Sequence, residues 1–270
     1  MAISNRLLIF LVVIISSFCS QAQTMHAIIF SDTNDEKIGE HMNGARQDMK
    51  QQVTEIANSI GHKLLIYDYY GQYCSKKRLY SFLSKFNPAS DDIVMFVYLG
   101  HGSRAKNDRK DPFPQMCLGT NLESNYVPVQ YLVNQLSMKR PRLLVAFTNC
   151  CNREQEFVSV KPHYNRPKTS VVDREAYRKL FCDNRGQVVM TSSVPGQLSW
   201  GAVFMEEAIE ALKSVGYKEI NPTWADVLAK IKENTSKRDI HPADPAYGNI
   251  VHQTPHYVNR VYPAAVGIKK

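Results

Sequence analysis

The chain has 270 residues, enough for one large domain or two small ones, and 44% of them are hydrophobic, an ordinary share for a globular protein with a sizeable core. That composition excludes wholesale disorder. Lysine and arginine outnumber aspartate and glutamate by 33 to 25, a net charge of +8, but the cations are spread along the sequence, which excludes the clustered basic face that a nucleic-acid partner needs.

The opening segment reads as a secretory signal peptide over 1–22. It has a cationic start at Arg6, an apolar run from Leu7 to Ile15, and small residues Ser20 and Ala22 set for cleavage after Ala22. The run is far shorter than the roughly 20 apolar residues that span a bilayer, so no stable membrane anchor is expected. Phe18 before Cys19 is too large for lipoprotein processing. The expectation is an exported chain, periplasmic or extracellular, with one folded domain over 23–270. Its mature part keeps Cys74, Cys117, Cys150, Cys151 and Cys182, an odd number. In an oxidising compartment that leaves at least one thiol free or bonded to another chain.

From His26 the elements alternate. HAIIF at 26–30 reads as a strand, then Met42, Ala45, Met49, Val53, Ile56 and Ile60 fall at helical spacing. LLIY at 64–67 is a second strand, and Leu79, Phe82, Leu83 and Phe86 mark a second helix. The run IVMFVYL at 93–99 is continuously apolar, as a strand covered on both faces must be. A helix around Val129 to Leu136, a strand LLVAF at 143–147, a polar stretch over 152–186, and a strand VVM at 188–190 follow. Amphipathic helices near Ala202 and Trp224 precede a tail rich in His, Pro and Asn. The order predicts an α/β fold with a mainly parallel sheet between two layers of helices. The stretch 152–186, with Arg153, Lys161, Arg166, Lys168 and Arg174, is expected to be an exposed loop.

In open parallel sheets, functional residues gather beyond the carboxyl ends of the strands. The third strand ends in LGHGSR, so His101 sits in a turn between Gly100 and Gly102, and the fourth ends in TNCCN. A histidine and a cysteine brought to one edge by two strands suit nucleophilic catalysis, because imidazole can generate thiolate and later protonate a leaving amine. A zinc site is excluded on spacing: adjacent strand cysteines diverge, and no C-x-x-C or H-x-x-x-H partner is present.

These residues resemble the caspase, metacaspase, clostripain and legumain group of cysteine peptidases, whose pattern is an apolar strand before a Gly-flanked catalytic His and a later apolar strand ending in Asp-x-Cys. IVMFVYLGHGS matches the first part and RLLVAFTNCCN the second, while HAIIFSDTND, GARQDM and VVMTSSVPGQLSW are similar to the first strand, the following helix and the groove-lining loop. The resemblance implies the caspase-hemoglobinase-like three-layer sandwich and a Cys-His dyad. Aligning 148–152 with the metacaspase Ser-Asp-x-Cys-His run makes Cys151 the nucleophile; a shift by one makes it Cys150 but puts Thr148 at the family's Asp. We take Cys151, with Cys150 as the alternative.

The resemblance further implies an oxyanion site from the backbone N–H groups of Gly102 and Cys151. The departure is Asn149 in place of Asp. Where relatives cut after Arg or Lys, that Asp helps bind the cation, so a basic preference here would fall to Asp32 or Asp48, with Asn149 and Ser193 also lining the groove. The implied activity is a secreted endopeptidase acting on peptides or proteins, without a metal or organic cofactor. Some relatives need calcium, and the sequence contains no EF-hand loop. The rival readings are a non-catalytic peptide-binding module of the same fold, which Asn149 favours mildly, and a transpeptidase or ligase in which an amine captures the thioester. Self-cleavage after Lys161, Arg166, Lys168 or Arg174 is a further expectation for the polar stretch.

Overall fold

The structure is a computed structural model and describes residues 23–105, 110–119, 123–154, 173–218, 221–242 and 245–264. The expected signal segment lies outside those residues, as do Lys161, Arg166 and Lys168.

A six-stranded sheet runs in the order β2-β1-β3-β7-β8-β9, built from β1 (Thr24–Ser31), β2 (Lys63–Tyr70), β3 (Ile93–Leu99), β7 (Leu143–Asn149), β8 (Asn184–Thr191) and β9 (His256–Pro263). The first five are parallel and β9 is antiparallel to β8. All residues of β3 and β7 are buried, which is why they carry no polar alternation.

Alternate strand residues feed two cores. Met95, Val97, Val145 and Phe147 pack with α1 (Gly39–Ile60), α4 (Arg174–Phe181), α5 (Val203–Lys218) and α6 (Trp224–Lys237). Val94, Phe96, Leu144 and Ala146 pack with α2 (Lys76–Lys85) and α3 (Val129–Ser137) on the other face. This is the three-layer arrangement predicted from element order. The apolar positions read in α1 all point inward, and Gly61, with φ at 71°, ends the helix in the left-handed conformation that glycine adopts without steric cost.

Three elements depart from expectation. Residues 174–181 are helical, not loop: Asp173 caps the backbone N–H groups of Glu175 and Ala176, and Ala176, Tyr177, Leu180 and Phe181 are buried, a stripe too short to stand out among four charged residues. Arg174 therefore opens a helix, a poorer cleavage position than an extended loop. The His- and Pro-rich tail contributes β9. A second sheet of β4 (Gly102–Ser103), β5 (Gln115–Cys117) and β6 (Tyr126–Pro128) follows His101, in strands too short for periodicity to reveal.

On edge strand β2, Asp68 receives Arg46 through two bonds of 2.7 and 2.6 Å and Lys50 at 2.9 Å, tying α1 to the sheet. Burial would raise its carboxyl, but the two cations outweigh burial and hold it below the usual range. A depressed folded value means the stabilisation is present above the unfolded pKa of about 3.9 and is lost as pH falls through the folded one. Asp68→Asn is expected to cost about 1–3 kcal/mol at neutral pH and to flatten the loss of stability below about pH 4, measured as urea midpoints against pH.

Candidate active site

Register brings three loops to one edge. Ser31 pairs with Leu99, and Leu99 with Asn149, so the chain leaves β1, β3 and β7 at one level. The backbone ladder continues past the strands, Asp32 N–H donating to the Leu99 carbonyl at 2.8 Å and Gly100 N–H to the Asn149 carbonyl at 3.2 Å.

The two cysteines diverge. Cys150 enters the smaller core beside Tyr98 and Met116 and is 1% exposed. A Cβ on Gly102 would come within 2.7 Å of the Cys150 Cβ and 2.8 Å of both its sulfur and the Gln115 carbonyl oxygen, so glycine is what lets the β3 turn lie against this cysteine. The Cys150 carbonyl accepts from the Ser192 and Ser193 hydroxyls at 3.0 and 3.3 Å. Ser193 is thus fully buried and braces the cysteine turn. Asn152 pins the other side, donating to the Pro112 and Ser193 carbonyls.

Cys151 lies apart from its neighbour, clustered with Leu198, Trp200 and Ile240. Its sulfur accepts from the Ser199 N–H at 3.3 Å and lies 3.7 Å from the Ser199 carbonyl oxygen. Burial pushes the Cys151 thiol up, against the opposing Ser199 N–H and Arg153 charge; Cys150, more deeply enclosed, is pushed up much further.

His101 is buried and its backbone is held twice, its carbonyl accepting from Cys117 N–H at 2.9 Å and lying 2.7 Å from the Tyr98 hydroxyl. Its Nε2 is 2.9 Å from Asp35 Oδ2. The other oxygen of Asp35 accepts from the Lys37 and Ile38 N–H groups at 2.8 and 3.0 Å. Burial raises Asp35, but these donors and His101 outweigh burial and hold the carboxyl low. Asp32 goes the other way, raised mainly by burial and also by the Asp35 charge, with His101 opposing.

A cavity of about 530 Å³ opens beside His101, lined among others by Asp32, Asp35, Glu36, Lys37, Gln72 and Cys117. Asp32 therefore faces the same space as His101; Asp48 is half-buried on α1 and is not among the lining residues. Burial pushes the Cys117 thiol to about 12. Asp32, Asp35 and His101 offer ligand atoms within 4.8 Å of one another, a three-donor grouping in which Asp35 and His101 already pair. Asn149 donates through Nδ2 to the Gly201 carbonyl at 2.7 Å. A carboxylate there would set two acceptors against each other, which gives the departure from Asp a local reason.

Asp35 and Ser199 were not legible as site residues. Asp35 had one signal, an acidic residue four positions before a helix start; Ser199 acts through its backbone, which sequence does not mark.

The model of the caspase-domain family matches residues 24–259. The chain belongs to the caspase-domain family. Among solved structures, this caspase-domain chain is similar to caspase-1 from Spodoptera frugiperda, with a TM-score of 0.55, 13% identity, and 88% of this chain and 89% of that one covered, a likeness of fold. A search of curated proteins finds no match. The membership makes this a cysteine-peptidase scaffold whose relatives act on peptides or proteins. Among the described residues no helix is long and apolar enough to cross a membrane.

Proposed function

We propose that the chain is an exported cysteine endopeptidase with Cys151 as nucleophile and His101 as general acid and base. What supports this is the parallel register: His101 and Cys151 each stand two residues past the paired positions Leu99 and Asn149, while Cys150 is committed to the opposite core.

In the reaction, His101 takes the Cys151 proton and the thiolate attacks the scissile carbonyl carbon. The resulting oxyanion is received by the Gly102 and Cys151 N–H groups. Collapse breaks the C–N bond, His101 gives the proton to the leaving amine, and a thioester remains. His101 then deprotonates a water that attacks the thioester, releasing the acid and restoring the thiol. No cofactor enters these steps.

The acidic cavity supports a preference for cationic side chains, with Asp32 as its principal carboxylate. Asp32→Asn is expected to lower kcat/KM on Arg and Lys substrates roughly tenfold or more, the worth of one charge-assisted hydrogen bond, with little change on neutral ones. Profiling residues 23–270 on a mixed peptide library reads this directly, and equal effects on both classes would remove Asp32 from specificity. Incubation with a peptidyl acyloxymethyl ketone, followed by peptide mapping, tests the activity itself. Adduct mass on Cys151 supports the peptidase; neither adduct nor cleavage across the library would leave the non-catalytic module.

A further inference from the structure

The pairing of His101 with Asp35 goes beyond a two-residue site. We propose that Asp35 is a positioning residue for His101, completing a Cys151–His101–Asp35 relay in which its carboxylate holds the imidazole proton on Nε2 and leaves Nδ1 as the basic nitrogen. This rests on the peptidase reading above.

The two oxygens of Asp35 do separate work. Oδ1 is fixed by the Lys37 and Ile38 N–H groups, so Oδ2 is aimed at His101 Nε2 at 2.9 Å by the loop that leaves β1. Capping that turn needs only one acceptor, and asparagine serves as well as aspartate in such positions. The second, anionic oxygen against a buried imidazole is what capping does not call for. Other charged groups share the cavity: Asp32, Glu36 and Lys37, with Cys117 also in its lining. Of the two aspartates, Asp35 is the one hydrogen-bonded to the ring, and it is the better anion because donors compensate its burial. When Nδ1 takes the Cys151 proton, the imidazolium keeps its Nε2 proton and donates it to Asp35, which stays ionised throughout. Asp35 thus stabilises the charged ring and fixes its tautomer without itself gaining a proton.

Asp35→Asn separates this role from the capping role. The amide oxygen can keep both backbone bonds, while the amide NH₂ meets Nε2 and forces the ring proton onto Nδ1. The expected result is a fall in kcat of about 10²–10⁴, with KM and melting temperature near the parent's. A second readout does not depend on turnover. Long-range ¹⁵N–¹H spectra of histidine-labelled Cys151→Ala protein, with the His101 signals identified by their loss in His101→Ala, should show His101 as the Nε2–H tautomer. Adding Asp35→Asn should convert it to Nδ1–H.

Wild-type kcat in Asp35→Asn, beside an inactive His101→Ala, would overturn the relay and leave the dyad standing. So would finding His101 as Nδ1–H with Asp35 intact, a measurement that holds even if the variant fails to fold. Wild-type turnover in His101→Ala would instead bring down the peptidase reading itself.

Discussion

Cys151→Ala is expected to abolish peptide hydrolysis, and Cys150→Ala to leave most of it. Consecutive residues at the end of a strand point to opposite faces, and here the opposition is visible in what each sulfur touches. Cys150 is enclosed by Tyr98, Met116 and the close approach of Gly102, and its backbone is bonded to Ser192 and Ser193. Reaching a substrate would require leaving that core and disturbing the turn that carries both cysteines. Cys151 is 8% exposed, belongs to the small cluster with Leu198, Trp200 and Ile240, and its sulfur meets the Ser199 backbone. The loss in Cys151→Ala should be complete within assay sensitivity, whereas Cys150→Ala should cost activity only through the void it leaves beside Gly102. Steady-state kinetics on one peptide decides between them. Equal and complete losses in two folded variants would show that divergence does not identify the nucleophile.

The second large effect belongs to His101. Its replacement by alanine is expected to lower kcat by about 10²–10⁴, the usual worth of a positioned general acid and base. The environment of Cys151 argues for the upper part of that range: burial lifts its thiol, so little thiolate forms unless a base takes the proton. Alkylation of Cys151 by iodoacetamide should slow along with turnover in the variant. Turnover at the parental rate in folded His101→Ala would assign the base elsewhere.

The fold is largely legible in the sequence. The buried runs at 93–99 and 143–147 and the stripe on α1 are long enough for burial to leave an unambiguous pattern, and they fix the parallel sheet and its functional edge. His101 and Cys151 stand out in the sequence because they follow those runs closely. What escaped depends on distance in space. Asp35 meets His101 across 66 positions of sequence, and Ser199 meets Cys151 across 48, which no local pattern encodes. Asp48 shares with Asp32 only its charge: it lies well inside α1, while Asp32 follows β1 and faces the cavity beside His101. Residues 174–181 were hidden differently: a two-turn helix with four charges on its outer face reads as a solvated loop.

None of the five cysteines among the described residues forms a disulfide, and burial raises every one of them: Cys74 and Cys182 as well as Cys117, Cys150 and Cys151. They sit before α2, on β5, on the β7 turn and at the end of α4, so each layer of the molecule carries one. A thiol reagent added to the native protein can reach Cys74 or Cys150 only when the surrounding structure opens, so its rate of reaction counts those openings much as amide exchange does. Cys151 is expected to set itself apart, its rate falling in His101→Ala. The molecule therefore carries native clocks for the breathing of its separate layers, readable by mass spectrometry without introducing a label.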